Sequence, residues 1–117
     1  MGMDLSANSE TCGGFHVNWT GWGMLVSLLE QLGCDVSEAA VTNDGFPISA
    51  SSTLEWATAL KSSFADIGLG TIPDEHFEGG HREMFVLHDG NPLDDDDRNW
   101  LNTFIDFLEN CDGCEQW

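Results

Sequence analysis

The stretch NPLDDDDRNWLNTFIDFLENCDG, residues 91–113, decides how this chain is read. Four consecutive aspartates, Asp94 to Asp97, run straight into an apolar pattern. Trp100, Leu101, Phe104, Ile105 and Leu108 recur at three- and four-residue spacing, the stripe of an amphipathic helix over residues 96–110. Asp94 or Asp95 serves as the N-cap and the remaining aspartates fill the first turn. Each carboxylate there gains about 0.3–1 kcal/mol from the helix macrodipole. Gly113 is the C′ residue that ends the helix. One or two aspartates meet that need. Four repel one another, so the cap explains where the run sits and not how long it is.

Two further helices read in the same way. In NWTGWGMLVSLLEQLGCD, Asn18 or Thr20 is the cap. Trp22, Leu25, Val26, Leu28, Leu29 and Leu32 form a broad apolar face, and Gly33 is the C′ residue. In SSTLEWATALKSSFADIG, Ser52 and Glu55 read as a capping box. Trp56, Ala57, Leu60, Phe64 and Ile67 lie on one stripe, and Gly68 ends the helix. Between the helices the signals are shorter. GFHVNW (14–19) alternates briefly as a strand. The turn Asn43-Asp44-Gly45 leads into an extended FPIS (46–49), because Phe46 precedes a proline. Met84 to Leu87 reads as a strand before a turn at residues 89–92. The expected fold is α+β: a small single domain over residues 1–117, with three main helices and two or three short strands, and with residues 1–13 a candidate flexible segment.

Charge narrows the function. The 117 residues carry 21 acids against one Lys and two Arg, a net charge of −18. Such a surface has no basic patch to displace the counterions of nucleic acid or anionic lipid, so direct binding to either is excluded. Cations and basic protein surfaces are the fitting partners. No apolar run approaches the roughly 20 residues of a membrane span. The first residues, MGMDLSANSETCGG, lack the basic and apolar regions of a secretory signal, and a cytoplasmic location is expected. The acids gather toward the end of the chain, five in residues 1–40 and ten in residues 81–117.

Catalytic and metal chemistry find weak footing. No nucleophile motif and no phosphate-binding loop is present, and GLGT (68–71) lacks a lysine. No cofactor is implied, and a non-enzymatic role is expected. Cys12, His16, Cys111 and Cys114 would give a formally acceptable zinc set, but one C-x-x-C is half the usual pattern. Cys111 and Cys34 read instead as small apolar packers. Among Glu75, His76, Glu78 and His81, the two histidines are five apart and not a helical i,i+4 pair, and two glycines interrupt the stretch.

The stretches NWTGWGMLVSLLEQLG, TNDGFPISASSTLEWATAL and FIDFLENCDGCEQW resemble a family of small uncharacterised prokaryotic proteins. Its members share a Gly-Trp first helix, an Asn-Asp-Gly turn and a Phe-x-x-Phe-Leu last helix. The resemblance covers about half of the chain and implies no activity. It implies that Trp22, Asn43, Asp44, Gly45 and Trp56 belong to a shared scaffold or site, with Asn43-Asp44-Gly45 the candidate functional loop. The family's tail carries Gly-Phe where this chain has Gly113-Cys114.

What remains is a surface. Asp94, Asp95, Asp96 and Asp97 continuing into Asp106, Glu109 and Asp112 would give the last helix a carboxylate face. The expected function is a non-catalytic acidic binding protein, in its most concrete form an inhibitor that mimics nucleic acid and covers a basic surface of a host or defence protein. Two alternatives stand beside it: a salt-adapted housekeeping protein whose acidity is environmental, and a small zinc-binding protein.

Overall fold

The computed structural model describes residues 2–39, 44–76, 78–88 and 90–117. Among these the chain forms three helices and seven short strands, an α+β single domain. In chain order these are β1 (Gly2–Ala7), β2 (Phe15–Asn18), α1 (Trp19–Gln31), β3 (Phe46–Ile48), α2 (Ala50–Ser63), β4 (Ile67–Pro73), β5 (His81–Leu87), β6 (Asn91–Pro92), α3 (Asp95–Asn110) and β7 (Cys114–Gln116). Two antiparallel sheets result, ordered β2-β1-β7-β3 and β5-β4-β6.

The helices follow their local chemistry. The Asn18 side chain accepts from the Gly21 amide at 2.7 Å and caps α1. The Asp94 carboxylate accepts from the Asp97 amide at 2.8 Å and caps α3. Gly33 follows the α1 C-cap Leu32 at positive φ, as a C′ residue does. The C-cap of α3 is Cys111, so its C′ residue is Asp112 at φ +56°, and Gly113, expected there, lies one position further on. The apolar stripes point inward: Trp22, Leu25, Leu28 and Leu29 of α1, and Leu101, Phe104, Ile105 and Leu108 of α3, are buried.

The second helix begins and ends elsewhere than its sequence suggests. Ser49, not Ser52, is its N-cap, accepting from the Ser52 amide at 3.2 Å. Glu55 takes no part in the cap. Glu38, from the loop after α1, supplies the missing acid: its carboxylate accepts from the Ser49 amide (2.8 Å), the Ser49 hydroxyl (2.9 Å) and the Ser52 hydroxyl (2.7 Å). The back half of a capping box is thus provided from eleven residues upstream, at no fixed spacing that a local pattern could reveal. At the other end α2 stops at Ser63, and Ile67 and Gly68 enter β4. Gly68 is pressed between two strands, where a Cβ would come within 2.6 Å of the Asn91 carbonyl. It serves close backbone approach and not helix termination.

Within the expected flexible segment, residues 2–7 are built into a sheet. β1 is an inner strand, paired with β2 and β7, and Met3 and Leu5 are fully buried. Their alternation with exposed Asp4 and Ser6 gives this sheet one dry and one wet face. The dry face joins a single core. Phe15 packs on Phe104 with ring centroids 5.1 Å apart, and Trp100 stacks on Phe85 of the smaller sheet. The side-chain amide of Gln31 donates to the Phe85 carbonyl at 2.8 Å, tying α1 to that second sheet.

Candidate functional site

The acidic run occupies the start of α3, and its members do different things. Asp94 spends its carboxylate on the cap. Asp95 lies 3.5 Å from Arg98. Asp96 is exposed. Asp97 is half-buried, and its carboxyl is held above its ordinary pKa by burial first, then by Asp94 and Glu83. Glu83, a residue the sequence did not single out, therefore belongs to this acidic end.

The rest of the expected carboxylate face is not brought into one row. Between Asp97 and Asp106 the exposed positions are Arg98, Asn99, Asn102 and Thr103. Glu109 is engaged by Lys61 at 3.0 Å, and Asp112 lies past the helix end at positive φ. From Asp94 to Asp112 the chain would span about 27 Å at helical rise. Duplex DNA presents roughly 16 charges over that length, against seven carboxylates here. The α3 face alone does not match nucleic acid in charge density.

The chain's three basic side chains are all held by its own carboxylates. Lys61 pairs with Glu109 and Arg98 with Asp95, and Arg82 contacts Asp74 at 3.1 Å without hydrogen-bond alignment. The net charge of −18 therefore faces outward without a lysine or arginine left to answer an anionic partner.

The thiols separate into two kinds. Cys12 and Cys34 are half-buried, and burial raises both. Cys111 and Cys114 are fully buried. The zinc set is not assembled: His16 stands on the outer face of the large sheet, bonded to Asp4 at 2.5 Å, while Cys111 and Cys114 face the core. The imidazole of His81 lies 3.0 Å from the Gly79 carbonyl, and that of His76 lies 4.0 Å from Glu75. Among the described residues, no three His, Cys, Asp or Glu side chains converge as a metal would require. No helix among them is long and apolar enough to cross a membrane.

The candidate loop is only partly visible. Asn43 lies outside the described residues. Asp44 is exposed, and Gly45 adopts φ +89°. Its structural purpose is plain: a Cβ at Gly45 would fall within 2.6 Å of the Trp117 ring. The loop lays its backbone under that indole.

Trp117 leads to the arrangement that sequence reading missed. Asp4 and Trp117 exchange both backbone hydrogen bonds, at 2.7 and 2.8 Å. Asp4 is also the direct partner of His16 on β2. His16, Asp4 and Trp117 therefore form one row across three strands on the wet face, and Ser6, Glu115 and Pro47 form the next. All six are exposed. No described helix or loop covers them, and Trp117 keeps half of its surface in water. Beside His16, a cavity of about 460 Å³ opens toward Thr20, Met24 and Trp100. The alternation Met3-Asp4-Leu5-Ser6 and Cys114-Glu115-Gln116-Trp117 carried the signal, but both runs are short and lie at opposite ends of the chain.

No family model matches this chain, and neither a curated protein nor a solved structure does. The family resemblance rests on its three short stretches of sequence alone.

Proposed function

We propose that the protein is a non-catalytic, cytosolic acidic binding protein that takes a basic segment of a partner protein onto the wet face of the β2-β1-β7-β3 sheet. One observation carries this reading: a half-exposed tryptophan, just past the end of β7, sits on an uncovered sheet face beside Asp4 and Glu115. The water side of an antiparallel sheet ordinarily carries polar side chains. A large aromatic there is the kind of residue that anchors an interface. An indole flanked by carboxylates favours a guanidinium or ammonium group, through cation–π attraction and charge together.

Size supports a segment over a whole domain. Four strands at about 4.8 Å spacing and a longest strand of about 20 Å give a face of roughly 300 Å². A standard protein interface buries about 800 Å² per partner. The outward field of the remaining carboxylates, the Asp94–Asp97 end included, speeds encounter more than it holds the complex. Basic segments of nucleic-acid-binding proteins are the class of partner this chemistry fits. Covering one would set the protein in competition with nucleic acid, with charge drawn from the whole surface and not from α3 alone.

The test is titration calorimetry with a panel of arginine- and lysine-rich peptides, at about 50 and 200 mM KCl. Binding should weaken steeply with salt. Trp117→Ala should weaken it about tenfold or more, the loss of one interface anchor. Asp95→Asn with Asp96→Asn should lower the association rate and spare the dissociation rate. Unchanged affinity in Trp117→Ala would remove the sheet face from the function.

A further inference from the structure

We propose that the basic segment is held along the open edge of β2, as a fifth strand of the larger sheet, in a groove between β2 and α3. This rests on the partner inferred above and specifies how its backbone is gripped. β2 ends the order β2-β1-β7-β3, with β1 as its neighbour. The direction of its hydrogen bonds follows from β1. Asp4 exchanges both of its backbone bonds with Trp117, on the side of β1 away from β2. Residues along an antiparallel pair alternate between bonded and non-bonded positions, so Asp4 has no bond left for His16, which stands opposite it. Phe15 and Val17 make the ladder bonds to β1 instead. His16 turns its amide and carbonyl outward, and Asn18, two residues on, turns its amide the same way. Among the described residues no other strand pairs with this edge. Outward groups of this kind are a template for one more strand.

The space beside the edge is shaped for it. Two cavities, of about 460 and 330 Å³, follow one another along β2. The first borders residues 16–18 and the second residues 13–15, so they flank the strand without a break. The opposite wall is α3, which gives Trp100 to the first cavity and Thr103, Asp106 and Phe107 to the second. These lie on successive turns of one helix face. A segment extended here would alternate its side chains. Every second one would enter the groove toward Met24, Trp100 and Phe107, where apolar groups fit. The others would continue the wet face beside His16 and Asp4, where basic groups fit. Asp106 adds an exposed carboxylate to the groove wall, and among the described residues lining the two cavities there is no lysine or arginine. A second copy of this chain would set a charge of −18 against −18 across the same edge, so a segment of opposite charge is the occupant.

The probe is a synthetic peptide of about six residues, the usual length of a strand, with arginine and valine alternating. Two twins carry N-methyl groups on the odd or on the even residues, which removes donors from one edge at unchanged charge. By calorimetry at about 50 mM KCl, one twin should bind about fivefold or more weakly than the parent, the worth of a net hydrogen bond. His16→Pro deletes the outward amide and spares the ladder bonds of Phe15 and Val17, since proline is tolerated on the open side of an edge strand. Its loss of affinity should exceed that of His16→Val, which keeps the amide, by about fivefold. In the wild type, saturating peptide should slow hydrogen exchange at the His16 and Asn18 amides, a readout that needs no proline variant to fold. Unchanged exchange, two twins that bind like the parent, or a dimer that protects the same amides without peptide would overturn the edge. Binding lost in Trp117→Ala and kept in His16→Pro would remove the edge and leave the sheet face standing. The reverse would keep the edge and remove the face, and a parent peptide that does not bind would overturn both.

Discussion

Replacing the aspartates of the run one at a time separates the cap from the charge. Asp94→Ala removes the acceptor of the Asp97 amide, a bond of 2.8 Å. Loss of an N-cap costs about 1 kcal/mol. At about 2.1 cal/mol/K per residue, unfolding 117 residues carries an entropy near 0.25 kcal/mol/K, so that cost lowers the melting temperature by about 4 °C. Asp94→Asn keeps a capping oxygen and sheds a charge, and should fall by no more than about 1 °C. Asp97→Asn removes the carboxylate that Asp94 and Glu83 crowd. Its pKa is raised in the folded state, so its ionised form weakens the fold above its ordinary value of 3.8, and the weakening fades as pH falls through the raised pKa. Asp97→Asn should therefore melt above the wild type at pH 7 and match it at acid pH. Asp96→Asn trades a macrodipole gain against repulsion and should change little. The assay is calorimetric melting at low and at about 0.5 M salt. Screening should shrink the charge effects and leave the cap effect in place. If Asp96→Asn or Asp97→Asn destabilises as much as Asp94→Ala, the run is a built unit and the reasoning fails.

Three further outcomes follow from the same structure. Glu38 is held below its ordinary value of 4.5 by hydrogen bonds led by that from Ser52, so the stability it gives is present above that pH and lost as pH falls through its lowered pKa. Glu38→Gln should unfold more easily than the wild type at pH 7 in urea, with the gap closing as pH falls below the ordinary value of 4.5 through the lowered pKa. Gly45→Ala places a methyl group at φ +89° and inside the Trp117 ring, and should cost about 1–3 kcal/mol in urea unfolding; a neutral result would mean that the indole does not rest on this turn. With a net charge of −18, the melting temperature should rise with KCl and level off near 1 M, where the Debye length is about 3 Å. A rise that continues steeply into molar salt would favour environmental acidity over a partner.

The three helices were legible because their apolar stripes, and the caps of α1 and α3, lie within a few residues. The stripes of α1 and α3 repeat every three or four positions, and Asn18 and Asp94 cap amides three residues ahead of them. The acidity, and with it the expectation of a basic rather than an anionic partner, also follows from the sequence alone. The strands were harder, because pairing is decided across the chain. β1 meets β7 from the opposite end, and neither short run of alternation has meaning until the other stands beside it. The same distance hid the true cap of α2, whose acid is Glu38, and turned Gly68 from a helix stop into a point of close strand packing. Nothing in the residues beside it in sequence singles out Trp117. Only the tertiary structure sets it beside Asp4 on an open sheet face, because hydrogen bonding between strands joins residues without regard to their separation in sequence.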